Sequence, residues 1–201
     1  GYTGGINMSD EYINYKRTHG DHWKDAGIRI EGEAVWNFTV MFLQMWNMSR
    51  HTEEYYGRYR HQFVDRPAAG GIVQPYMDTP LDEETVGENV YLNMIGAARK
   101  YLYIFTPYLV TDNEMHTALK LAAKRGVDVR IVTPGTPDKK TVYWLTQSNY
   151  QSLIEAGVRI YQYTPGFIHS KCVLSDDETA VVGTINFDYR SIYHHFECGV
   201  F

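Results

Sequence analysis

From Val86 onward the apolar positions switch repeatedly between a helical and a strand period. Val86–Lys100 carries apolar residues at helical spacing, Tyr101–Phe105 is a short apolar run, and a second helical stretch opens at Asp112 and closes at Gly126. Val127–Val132 then reads as a strand, Thr141–Ala156 as a helix stopped by Gly157, and Val158–Tyr163 as another strand. The pattern predicts β-α-β-α-β with crossovers long enough for parallel pairing, hence an α/β layered fold. Three of these strands run into the same dipeptide, Thr106-Pro107, Thr133-Pro134 and Thr164-Pro165, at the carboxyl edge where open parallel sheets hold ligands. Proline's inability to continue a strand accounts for each of them equally well.

The N-terminal third has a different character. Ala34–Ser49 is uncharged, but it is interrupted by Asn37, Gln44 and Asn47 and is shorter than the ~20 apolar residues of a spanning helix. Val35, Phe38, Phe42 and Met45 recur at helical spacing, which predicts a buried amphipathic helix. The stretch from Arg66 to Gly87 is rich in proline, glycine and acidic residues and separates the two patterns, so a boundary is expected there, with residues 1–66 and 67–201 as the two parts.

An internal echo relates those parts. Gly183-Thr184-Ile185-Asn186 repeats Gly4-Gly5-Ile6-Asn7 at an offset of 179 positions (183 against 4), and Glu197 in "HHFECGVF" answers Asp25 in "HWKDAGIRI". The order is the same in both, which points to duplicated halves. At that offset the counterpart of His169 lies ahead of residue 1, so the first half is expected to lack its front.

Composition narrows the function classes only modestly. A net charge of −5 and a pI near 5.9 offer no broad attraction for a polyanion, and no nucleic-acid partner is expected. Cys172 and Cys198 sit in short apolar runs, without metal-site or disulfide spacing, and read as free thiols. The first residues lack the charged start, apolar middle and cleavage site of a signal peptide, so the chain by itself reads as soluble and cytosolic.

The chemistry concentrates in "HSKCVLSDDETAVVGTIN", where His169, Lys171, Asp176, Gly183, Thr184 and Asn186 fit the pattern HxKx4Dx6G[ST]xN. On a strand, residues two apart share a face, so His169 and Lys171 are expected to converge while Cys172 and Leu174 face the core. An imidazole beside a fixed ammonium suits an anionic phosphodiester, whose oxygens gain negative charge when phosphorus is attacked. A lysine so close to a ligating histidine would repel a divalent cation, and no metal or other cofactor is expected.

This pattern is the signature of the phospholipase D superfamily, and "YIFTPYLVTDNEM", "LKLAAKRGVDVRIVTPGTPDKK" and "LIEAGVRIYQYTPGFIHSK", with "TGGINMSDEYIN" near the start, resemble the matching stretches of bacterial cardiolipin synthases. The resemblance implies a phospholipase D-like layered fold with a mixed, largely parallel sheet flanked by helices. It implies phosphatidyl transfer between two phosphatidylglycerols through a phosphatidyl-histidine, with two motifs meeting at a pseudo-twofold interface and other phospholipids as further substrates. In that scheme His169, Lys171, Asp176, Asn186 and Glu197 form the catalytic set: Lys171 and Asn186 bind phosphate oxygens, Asp176 supports the local geometry, and Glu197 orients a histidine. His169, in the second motif, is the better candidate for acid/base, with nucleophile left open. Gly183 and Thr184 are expected on the substrate side, and Asn7 and Asp25 in the first half in the roles matching Asn186 and Glu197. The missing first half of the same enzyme is the expected partner, and the parent is expected at the cytoplasmic face of the bacterial membrane. The alternative is a phosphodiesterase or nuclease built as a homodimer of single-motif chains.

Overall fold

The computed structural model describes residues 1–18, 20, 22–62 and 70–201; the expected boundary at Arg66 lies outside them. In chain order the elements are β1 (Tyr2–Gly4), β2 (His22–Lys24), β3 (Gly27–Arg29), α1 (Val35–Arg50), β4 (Pro75–Asp78), α2 (Val86–Ala97), β5 (Tyr101–Phe105), β6 (Leu109–Val110), α3 (Asn113–Lys124) and β7 (Asp128–Pro134). There follow α4 (Lys140–Ser148), α5 (Tyr150–Glu155), β8 (Arg159–Tyr163), β9 (Gly166–Ile168), β10 (Cys172–Ser175), β11 (Thr179–Gly183), β12 (Phe187–Asp188), α6 (Tyr189–Tyr193) and β13 (Glu197–Val200).

Among the described residues the main sheet has seven strands in the order β4-β13-β11-β10-β5-β7-β8. Strands β5, β7 and β8 are parallel, as their helical crossovers dictate, and the remaining pairs are antiparallel. One face is sealed by helices: Leu102, Ile104, Val129, Ile131, Val173 and Val181 pack beneath α2 and α3 in a single core. Helix α3 shows why the sequence builds this layer. Asp112 Oδ1 accepts the Met115 N–H at 2.8 Å as an N-cap, Met115, Leu119 and Ala122 form the buried stripe, and Gly126 leaves the helix at φ +92°.

Several expectations change. Thr141–Ala156 is two helices, because Asn149 donates its side-chain amide to the carbonyls of Leu145 (2.9 Å) and Leu109 (3.1 Å), competing with the backbone ladder. The proline-rich link contains β4, an edge strand that tolerates Pro75 because one side of it needs no ladder. Helix α1 forms where expected, but Leu43 is its buried residue, while Phe42 is 61% exposed and Met45 and Trp46 are exposed as well. The parity of β10 is also reversed: Val173 and Ser175 face the helix-covered core, whereas Leu174 is exposed and Cys172 half-buried. No helix among the described residues is long and apolar enough to cross a membrane.

The N-terminal strands repeat the geometry of the C-terminal ones. Gly4 pairs with Gly27 across β1 and β3 as Gly183 pairs with Gly199 across β11 and β13. The N–H of Gly5 reaches the Ala26 carbonyl at 3.1 Å as that of Thr184 reaches the Cys198 carbonyl at 2.9 Å. In both places the acidic residue, Asp25 or Glu197, stands two positions before the paired glycine.

Candidate active site

The site is assembled by an inter-segment ladder. Strand β2 lies parallel to β9 in the register His22↔Gly166, Trp23↔Phe167 and Lys24↔Ile168, and the His169 N–H continues it to the Lys24 carbonyl at 2.7 Å. The next residues along are Asp25 and His169, whose Oδ2 and Nδ1 atoms lie 2.8 Å apart, with the Asp25 side chain 3% exposed and that of His169 13%. A carboxylate can only accept, so Nδ1 carries the hydrogen and Nε2 keeps its lone pair.

Aromatic rings wall the imidazole. Tyr12 stands edge-on at 5.2 Å between ring centroids and Trp23 lies at 5.3 Å; Trp23 in turn packs on Phe167 at 4.8 Å. Burial raises the Tyr12 phenol above its ordinary pKa, which keeps it neutral. These rings were missed from the sequence. Trp23 and Phe167 stand two positions before Asp25 and His169, a spacing that could have signalled them once the strand pairing was known.

Lys171 is buried, 3% exposed, and its Nζ lies 2.7 Å from Nδ1 and 3.0 Å from Nε2 of His169. With the Nδ1 hydrogen given to Asp25, Nε2 is the ring acceptor that remains for the ammonium. Lys171 also donates to the His169 carbonyl. Burial lowers its pKa to about 8, against the raising effect of Asp25 and Glu197. His169–Lys171 belongs to no strand, contrary to expectation, but the extended link from β9 to β10 still turns the two side chains to one side. Cys172 pairs with Phe105, the last residue of β5, so the site stands at the carboxyl end of the parallel strands.

The other candidates divide. Glu197 does not reach His169. It accepts from Thr184 Oγ1 and faces His195 Nδ1 at 3.4 Å, and burial raises its pKa. Asp25, expected as its counterpart, is the residue on the imidazole. Asn186 donates to Ser191 Oγ at 2.9 Å, while its buried Oδ1 has no hydrogen-bond partner among the described residues. Asn7 is exposed and donates to the Tyr12 hydroxyl at 2.8 Å, one ring removed from His169. Gly183 lets strands approach, since a Cβ there would stand 2.5 Å from the Cys198 carbonyl oxygen and 2.8 Å from Gly199 Cα.

Asp176 lies at the far end of β10. Its carboxylate accepts the N–H groups of Arg99 (2.7 Å), Lys100 (2.9 Å) and Tyr101 (2.8 Å), which depress its pKa, the Tyr101 bond foremost. Asp176 and Asp177, at φ 59° and 61°, form the tight turn into β11. Asp176 therefore ties a hairpin to the start of β5, away from the imidazole. Elsewhere, Glu88, Asp112 and Glu114 bring ligand-type oxygens within 4.8 Å of one another, a grouping invisible in sequence spacing. Asp112 is committed there to its helix cap and to the Tyr193 hydroxyl at 2.6 Å.

Residues 91–201 match the family model described as "Cardiolipin synthase, PLD-like domain". The chain is 37% identical over 201 residues to cardiolipin synthase 2 of Bacillus cereus and 38% identical over 204 residues to cardiolipin synthase 1 of Staphylococcus aureus. All of the chain is covered in both alignments, but only 39% and 41% of those proteins, so it spans about two fifths of the curated relatives it matches. Nuc from Salmonella typhimurium, a phospholipase D family member of known crystal structure, superposes with a TM-score of 0.52 at 23% identity, over 64% of this chain and 80% of Nuc, which speaks for the fold alone.

Proposed function

From the premise that the chain belongs to the cardiolipin synthase family of phospholipase D-like domains, we propose that it is the C-terminal part of a phosphatidyltransferase that converts two phosphatidylglycerols into cardiolipin and glycerol. The observation that carries this reading is the Asp25–His169–Lys171 cluster, with contacts of 2.8 Å from Asp25 to Nδ1 and 3.0 Å from Lys171 to Nε2. Asp25 fixes the tautomer in which Nε2 keeps the lone pair that takes up a proton, and Lys171, which meets that lone pair in the absence of substrate, places positive charge where phosphoryl oxygens gain negative charge. In a partly desolvated site that ammonium interacts more strongly than it would in water.

In the proposed reaction a histidine of the missing first half attacks phosphorus, and the phosphorus–oxygen bond to glycerol breaks. His169, protonated, gives its proton to the departing glycerol oxygen. It then takes the proton from a hydroxyl of the second phosphatidylglycerol, whose oxygen attacks the phosphatidyl-histidine and releases the nucleophile. Glu197, beside Thr184 and His195, is the carboxylate for that other histidine, by analogy with Asp25. The matched glycine pairs support reading the N-terminal segment as the tail of the first half. The chain alone is then inactive, and its full-length parent works at the cytoplasmic face of the bacterial membrane. A homodimer of single-motif chains has less support, because Asp25 of the same chain already occupies the His169 ring.

The test is His169→Ala in the full-length parent. Cardiolipin formation from phosphatidylglycerol is lost, while a phosphatidyl ester with a p-nitrophenol leaving group, which needs no acid, still loads the other histidine. Undiminished cardiolipin synthesis by the variant overturns the reading; failure to load shifts His169 to the nucleophile.

A further inference from the structure

The two acidic residues of the internal repeat are braced alike. Two positions before Asp25, Trp23 turns its ring N–H back to Asp25 Oδ2 at 3.5 Å, and two positions before Glu197, His195 turns Nδ1 back to Glu197 Oε1 at 3.4 Å. A second donor stands on the other oxygen in each case: the Ala26 N–H on Asp25 Oδ1 at 2.9 Å, and the Thr184 hydroxyl on Glu197 Oε2. Thr184 occupies the place that the repeat gives to Gly5, and the exchange fits the two acids. A Cβ at Gly5 would collide with Asp25 Oδ1, whereas Glu197, one methylene longer, takes a bond from the threonine.

Packing does not dictate where the His195 ring points. Its side chain is 41% exposed, in the bend between α6 and β13, and its neighbour His194 faces solvent; the ring nevertheless returns to a carboxylate only 9% exposed. A carboxylate can only accept, so Nδ1 carries the hydrogen of that contact. Burial pushes the Glu197 carboxyl up in pKa, and the Thr184 and Ser191 hydroxyls and the His195 ring act against the rise, favouring the ionised form that accepts a hydrogen bond. On Asp25 the oxygen that Trp23 braces is the one that meets His169 Nδ1 at 2.8 Å.

We propose that His195 is a positioning residue for the histidine of the other half: its Nδ1–H holds Glu197 so that Oε1 accepts the Nδ1–H of that imidazole, as Trp23 helps to hold Asp25 for His169. The inference rests on the reading that Glu197 serves the other histidine, and it adds the residue that aims the carboxylate. With Nδ1 of that histidine so engaged, its Nε2 forms the bond to phosphorus as the bond to the leaving oxygen breaks.

The step to measure is loading, read as the burst of p-nitrophenolate that the full-length parent releases from a p-nitrophenyl phosphatidyl ester, because it needs the nucleophile and no acid. His195→Phe, which keeps a ring without an N–H, slows the burst by about 10–100-fold with KM unchanged, the range for outer partners that orient a functional imidazole. His195→Asn, whose side-chain amide places an N–H near the position of Nδ1, returns the burst to within a few fold of wild type. Glu197→Gln slows it as well. A normal burst in His195→Phe beside a slowed one in Glu197→Gln overturns the positioning role alone, whereas a normal burst in Glu197→Gln overturns the underlying reading of Glu197. Equal losses in His195→Phe and His195→Asn make the imidazole itself, not its N–H, the necessary group and overturn the proposal. Urea midpoints of the 201-residue chain carrying either change match wild type; midpoints lowered in both assign His195 to packing and overturn it too.

Discussion

Lys24 and Ile168 pair side by side in a parallel ladder, and this one register sets Asp25 opposite His169. The two residues lie 144 positions apart, yet neither needs a long side chain or a flexible loop to meet the other. A slip of one residue would turn Asp25 to the opposite side of its strand and leave the imidazole without its acceptor. The consequences can be tested singly.

Asp25→Asn keeps an oxygen near Nδ1 but removes the charge that stabilises a protonated ring and selects its tautomer. Transfer by the full-length parent is expected to fall by about 10²–10⁴-fold, the range of general acid–base catalysis. Steady-state kinetics at fixed lipid surface concentration would measure it, and a change of less than threefold would remove Asp25 from the mechanism.

Lys171 should give the reaction its alkaline limit. Burial depresses the ammonium to about 8, so the charge proposed to attract phosphate is present below that pH and lost above it, well before an ordinary lysine would titrate. The kcat/KM profile, which reports the free enzyme, is expected to decline through about pH 8, and Lys171→Arg should carry the decline to higher pH. A limb that stays in place in the arginine variant belongs to some other group.

Asp176→Ala should act on stability rather than chemistry. It strips three backbone N–H groups of their acceptor and places alanine at φ 59°, a cost on the order of 1–2 kcal/mol by comparison with lost helix caps. Urea melts of the chain should show a lower midpoint, while the residual activity of folded full-length parent stays within a few fold of wild type.

Glu88 makes stability depend on pH. Burial beside Asp112 raises its carboxyl to about 7, so the folded state holds a proton that the unfolded chain gives up from about 4.5. The folded state therefore loses stability as pH rises from about 4.5 to 7. Glu88→Gln, which cannot ionise, should raise Tm relative to wild type more at pH 8 than at pH 5. Equal shifts at the two pH values would show that Glu88 keeps its ordinary titration in the fold.

Much of this molecule was legible from local pattern. Tyr101–Phe105 is a strand with the expected bounds, Asp112 caps its helix through the Met115 N–H, and the parallel order of β5, β7 and β8 follows from the lengths of the crossovers. These depend on neighbours within a few residues, or on chain connectivity, and both are written directly in the sequence. So was the meeting of His169 and Lys171, because an extended chain brings alternate side chains together whether or not a ladder forms around them.

What tertiary structure decided is everything that required one segment to know where another lay. The sequence matched Asp25 with Glu197 as equivalents, but the ladder between β2 and β9 determined that Asp25 serves His169 while Glu197 turns to Thr184 and His195. Likewise, which face of β10 is buried depends on the side its helices cover, and Phe42 on α1 is exposed although its spacing marks an apolar stripe. Periodicity states that a face is apolar; only the packing of distant elements states what, if anything, lies against it.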